Sequence, residues 1–152
     1  MTGFQTGVLQ IPTVTSGATG TVAENAPSLF FYAGGSTLYP AATHVDGSLI
    51  GDPSVTPGAT KALPGETIVL YVNGIASSPS GIIISAPIAY SGGVTVTVGT
   101  LSAPVAFAGL VAAGEYQLNV TMPGNIAPGN YPVTIQTQGQ SSASGIMLPV
   151  GP

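Results

Sequence analysis

The sequence contains no cysteine, no tryptophan and no arginine, and Lys61 is its only lysine. Without cysteine there is neither a disulfide framework nor a thiolate metal site. Without a cluster of cations the phosphates of a nucleic acid cannot be neutralised, which excludes nucleic-acid binding, and a polybasic membrane contact fails on the same ground. Acids are equally sparse: Glu24, Asp46, Asp52, Glu66 and Glu115. Charged side chains make up 4% of the 152 residues, against about 25% in an ordinary soluble domain. Such a surface is hydrated by Ser, Thr, Asn, Gln and backbone, and little charge repulsion opposes self-association. No apolar run reaches the roughly 20 residues of a membrane-spanning helix. Residues 105–113 form one of the longest, and Gly109 interrupts it. The opening Met1-Thr2-Gly3-Phe4 lacks the basic start and apolar core of a signal peptide. The chain therefore reads as a mature chain or an excised domain, expected outside the cell or at its surface.

What is present is alternation. A chain of this length fits one domain, or one domain plus an arm, and is large enough to bury about 70% of its unfolded surface. In residues 114–137, Tyr116, Leu118, Val120 and Met122 point one way while Gln117, Asn119 and Thr121 point the other. Beyond the turn dipeptides Pro123-Gly124 and Pro128-Gly129, Tyr131, Val133 and Ile135 share a face opposite Pro132, Thr134 and Gln136. Period-two patterns of this kind predict half-buried antiparallel strands. Gly129-Asn130-Tyr131-Pro132-Val133 also reads like strand F of an immunoglobulin-type sandwich, where a corner tyrosine precedes the second cysteine position by two residues. Val133 fills that position here.

Elsewhere the patterns predict a strand over 28–32, a hairpin turn at Asp46-Gly47, and loop or edge structure over 51–65, which carries Pro53, Pro57 and Pro64. They predict a central strand over 67–72, apolar on both faces, with a turn at Asn73-Gly74. Further strands are expected at 82–84, at 94–98 with 103–108 as its partner, and over 144–150. No segment has a helical period and no repeat recurs at fixed spacing. The expected interior includes Ile68, Leu70, Val94, Val96, Tyr116, Leu118, Val120, Tyr131, Val133 and Ile135. The fold class expected is an all-β, immunoglobulin-like antiparallel β-sandwich over residues 26–152, preceded by an extended arm over 1–25.

From Ala26 to Val150 the chain resembles the Solibacter-type uncharacterised C-terminal domain of secreted acidobacterial proteins. The matching stretches are Ala26-Pro27-Ser28-Leu29-Phe30, Asp46-Gly47-Ser48-Leu49, Pro64-Gly65-Glu66-Thr67-Ile68-Val69-Leu70-Tyr71, Val94-Thr95-Val96-Thr97-Val98-Gly99, Phe107-Ala108-Gly109-Leu110, and Tyr116-Gln117-Leu118-Asn119-Val120 through Pro128-Gly129. The second half is also similar to IPT/TIG-type immunoglobulin-like domains. The resemblance implies a secreted β-sandwich with no known enzymatic activity and carries over no catalytic residues.

Candidate chemistry is thin. His44 and Asp46 with a serine would make a triad, but no G-x-S-x-G elbow exists, and a lone histidine beside a hairpin turn reads as a turn residue. Asp46, Ser48 and Asp52 offer oxygens to calcium without the 12-residue loop pattern. Glu66 could support a Lys61–Asn isopeptide crosslink, against the simpler reading of a solvated loop lysine. Asn119-Val120-Thr121 is a glycosylation sequon. Tyr71 and Tyr90 are candidate sugar platforms, although packing explains tyrosines as well. No catalytic, cofactor or metal residue is expected, and the chain does not read as an enzyme.

The functional expectation is a structural subunit of an extracellular filament or surface assembly. Residues 3–12, with Phe4, Val8, Leu9 and Ile11, form an apolar run separated from the domain by residues 13–25. At roughly 3.3 Å per extended residue that linker spans about 40 Å, enough to add a strand to a neighbouring copy. Repeated head to tail, such a contact makes a homopolymer. The alternative is a carbohydrate-binding or cell-surface attachment module of a larger secreted protein.

Overall fold

Alternating side chains set the strands of the computed structural model, which describes residues 25–76 and 80–152. The arm residues Phe4, Val8, Leu9 and Ile11 lie outside the described residues, as does most of the linker. In chain order the strands are β1 (Ser28–Leu29), β2 (Phe31–Gly34), β3 (Thr37–Pro40), β4 (Ala42–His44), β5 (Thr67–Asn73), β6 (Ile88–Ala89), β7 (Val94–Val98), β8 (Leu101–Ala103), β9 (Val105–Ala112), β10 (Glu115–Thr121), β11 (Gly129–Thr137), β12 (Gln140–Ser141) and β13 (Met147–Val150). The described residues contain no helix.

Two antiparallel sheets face each other. The first runs β1-β5-β10-β9-β6, with β4 also on β5; the second runs β12-β11-β7-β8, with β13 also on β11. A separate hairpin joins β2 to β3. The orders β1-β5-β10-β9 and β13-β11-β7-β8 run in the sequence A-B-E-D and G-F-C-C′ used for immunoglobulin-type sandwiches. The inward faces supply the core: Ile68, Leu70, Val72, Leu118 and Val120 from one sheet, Val96, Val98, Val133, Ile135 and Leu148 from the other, all essentially inaccessible. Tyr131 and Val94 are half-buried against that core, while Gln117 and Thr134 point outward, so the expected faces are the observed ones.

Strand β5 is central, as its doubly apolar pattern implies. On one side it pairs with β10 from Thr67 to Val72; on the other it pairs with β1 at Val72 and Asn73 and with β4 at Ile68 to Leu70. The β2-β3 hairpin thus interrupts a single edge, and the run over 28–32 splits at Phe30 rather than forming one strand. At the far end of β5, Gly74 adopts φ 72°, and its carbonyl accepts a hydrogen bond from Ala26 N at 2.9 Å.

The two runs around 114–137 lie in different sheets: β10 pairs with β5 and β9, β11 with β7, β12 and β13. Residues 122–128 carry the chain across, with Met122 and Ile126 buried and the Tyr131 hydroxyl donating to the Ala127 carbonyl at 3.0 Å. That bond is the corner expected of a strand-F tyrosine. Residues 103–108 are not one partner of β7. The chain switches sheets at Pro104, which has no N–H for a ladder; β8 pairs with β7, and β9 joins β10 in the other sheet. The Pro104 carbonyl accepts from Thr121 N at 2.9 Å. Finally, residues 82–84 form no strand. It is the next apolar stretch, Ile88 and Ala89, that pairs with β9, at Leu110 and Gly109. Ile82 and Ile83 are left 52% and 92% exposed.

Candidate functional site

Residues 42–66 wrap the edge of the first sheet and bring a hydroxyl, an imidazole and a carboxylate into line. His44 ends β4, opposite Ile68. The Asp46-Gly47 turn forms as expected: His44 N donates to the Ser48 carbonyl at 2.9 Å and Gly47 N to the His44 carbonyl at 3.0 Å. Thr60 is threaded between Leu49 and Gly51, its N–H donating to the Leu49 carbonyl at 3.1 Å and its carbonyl accepting from Gly51 N at 2.9 Å. Two residues on, Ala62 pairs in parallel with Val150 of the second sheet. This short segment therefore ties one sheet edge to the other.

Glu66 is positioned by the turn Leu63-Pro64-Gly65-Glu66. Proline at the second position and a glycine at φ 78° in the third suit a type II turn, and Glu66 N donates to the Leu63 carbonyl at 3.3 Å. The side chain folds back so that Oε2 accepts from Leu63 N. Oε1 lies 2.8 Å from His44 Nδ1, and His44 Nε2 lies 2.8 Å from Thr60 Oγ1. A carboxylate only accepts, so the neutral imidazole carries its proton on Nδ1 and presents a lone pair at Nε2. The Thr60 hydroxyl must then donate to Nε2. The His44 and Glu66 side chains are 15% and 19% exposed. Beside them opens a groove of about 440 Å³ lined by His44, Pro53, Thr60, Lys61, Leu63, Gly151 and Pro152.

Other candidates are not assembled. Asp46, weighed as a partner of His44, instead accepts from the Ser48 N–H and hydroxyl at 2.9 and 2.6 Å. Those bonds, the hydroxyl's first, hold its carboxyl below the ordinary range. Asp52 is held low in the same way by the Ser54 N–H and then its hydroxyl. Asp46 and Asp52 thus serve separate local turns, and no group of acids and histidines suited to a metal ion occurs among the described residues. Glu66 is engaged by His44 and Leu63 rather than by Lys61, which removes the acid an isopeptide crosslink would use. Asn119 accepts from Gln117 Nε2 at 2.8 Å on the outer face of β10. Tyr90 is half-buried, edge-on to Tyr116 at 6.3 Å, with its hydroxyl 3.3 Å from Thr137 Oγ1.

Sequence reasoning singled out His44 but missed both partners. Glu66 had a local signal, the Pro64-Gly65 turn that projects it; Thr60 had none. Comparison with protein-family models, curated proteins and solved structures finds no match.

Proposed function

We propose that this chain is a structural subunit of an extracellular filament or surface assembly, joined when residues 3–12 of one copy add a strand to a sheet edge of the next. Under this reading Phe4, Val8, Leu9 and Ile11 are the interface side chains, and the secreted-domain resemblance gives the setting. The observation that carries it is the uncharged sandwich edge. Strands β6 and β8 end their sheets among the described residues, and no charged side chain occurs between residues 67 and 114. Edge strands are ordinarily protected against pairing by charges, and an apolar, uncharged edge is a template for an added strand. Exposed Ile82, Ile83 and Ile88 lie at or just before β6. Deleting residues 1–12 tests the proposal. The full chain should form ordered fibres in negative-stain micrographs and the truncated chain should remain monomeric by light scattering. Polymerisation of the truncated chain, or a full chain that stays monomeric at high concentration, would sink it.

A further inference from the structure

The Thr60–His44–Glu66 line has a consequence beyond a structural role and independent of assembly. We propose that Thr60 is a nucleophile for acyl transfer, with His44 as its general base and Glu66 as the positioning residue that holds the imidazole. The geometry meets two requirements of an activated hydroxyl: nucleophile and base at hydrogen-bond distance, and the base oriented by a third group on its other nitrogen. Both distances are 2.8 Å. Glu66 is itself held by Leu63 N, so the imidazole is not free to rotate away. Thr60 is exposed whereas His44 and Glu66 are largely covered, which leaves the hydroxyl as the accessible end of the line.

The groove defines the substrate class. Pro53, Leu63 and Pro152 give it apolar walls, suited to a short apolar acyl group presented as an ester. Lys61, the chain's only lysine or arginine, lines the same groove and is the cation that would serve a developing oxyanion. In the first step Thr60 Oγ1 bonds to the acyl carbon while His44 Nε2 takes the hydroxyl proton. Collapse of the tetrahedral adduct breaks the bond to the leaving alcohol, which takes the proton from His44. Water, deprotonated by the same nitrogen, then attacks the threonyl ester; the acyl–Oγ1 bond breaks, His44 returns the proton to Oγ1, and the acid is released. No oxidant or reductant enters.

A bare imidazole also hydrolyses activated esters, so the test must separate Thr60 from His44. The full chain is treated with p-nitrophenyl acetate and p-nitrophenyl butyrate, the release of nitrophenol is followed, and the acylated residue is located by peptide mass spectrometry. Wild type should carry the acyl group on Thr60, and Thr60→Ser should retain it. Thr60→Val, close in shape, should lose the adduct and slow turnover by about 100-fold or more, the usual scale of a general-base-assisted step. Glu66→Gln should slow acylation and alter its pH profile, which a merely structural tie would not do. Thermal unfolding of each variant establishes that it is folded. If folded wild type shows no acyl-Thr60, or if Thr60→Val releases nitrophenol as fast as wild type, the assignment is wrong and the three residues are only a tie between strands.

Discussion

Replacing Leu118 by alanine tests the register on which the whole sandwich depends. Leu118 is 0% exposed at the middle of β10, between Leu70 of β5 and Ala108 of β9. The change removes three carbon atoms from the core, worth about 2.4 kcal/mol at about 0.8 kcal/mol per buried methylene. The flanking backbones are pinned by ladders on both sides and one neighbour is already an alanine, so the site collapses little and a cavity remains. Adding that term brings the expected loss to about 3–4 kcal/mol, a large share of the roughly 5–15 kcal/mol that stabilises a typical domain. The melting temperature should drop by about 10 °C, at roughly 3 °C per kcal/mol for a chain of this size. Urea unfolding followed by far-ultraviolet circular dichroism is the assay, since the chain has no tryptophan. The midpoint should fall with its slope unchanged. The outward-facing neighbour Gln117→Ala is the control and should stay within about 0.5 kcal/mol. A one-residue slip exchanges the two faces of a strand. If Gln117→Ala costs as much as Leu118→Ala, or Leu118→Ala costs under about 1 kcal/mol, the register described here is refuted.

Three further outcomes are expected. Tyr131→Phe removes the corner bond to Ala127 and should cost about 1 kcal/mol in urea unfolding, with no change in core packing seen by methyl NMR. Gly74→Ala should cost about 2–3 kcal/mol, combining left-handed backbone strain with loss of the Ala26 bond, because a Cβ there meets the Ala26 carbonyl oxygen at 2.0 Å. Thermal denaturation measures it, and a neutral result would show that the β1 entry differs. Asp46 and Asp52 are held below the free value of 3.8, so each stabilises the fold above that pH and loses its contribution as pH falls through the lower folded value. Carboxyl NMR titration should show both midpoints low, with Ser48→Ala raising that of Asp46 and leaving Asp52 in place.

What the sequence determined by itself was the identity and facing of the long alternating strands. The outward and inward sets around Leu118 and Val133, the doubly apolar β5, and the turns at Asp46-Gly47 and Asn73-Gly74 all follow from neighbours within a few residues. Such patterns are local because side chains alternate along any extended backbone. Tertiary structure alone decided which sheet each strand joined. Alternation says that Tyr116 and Tyr131 face a core, not that their strands face each other across it. Likewise, Ile82–Ile84 and Ile88 have comparable strand propensity, yet only Ile88 pairs with β9. The same holds for the Thr60–His44–Glu66 line, whose contacts join residues 16 and 22 positions apart. Their meeting required β4 to pair beside β5, the type II turn to aim Glu66 backward, and the 60–62 segment to bridge the sheet edges. The turn is local, but the other two are long-range pairings that bury apolar faces and satisfy backbone groups throughout the sandwich at once, and no local pattern encodes that sum.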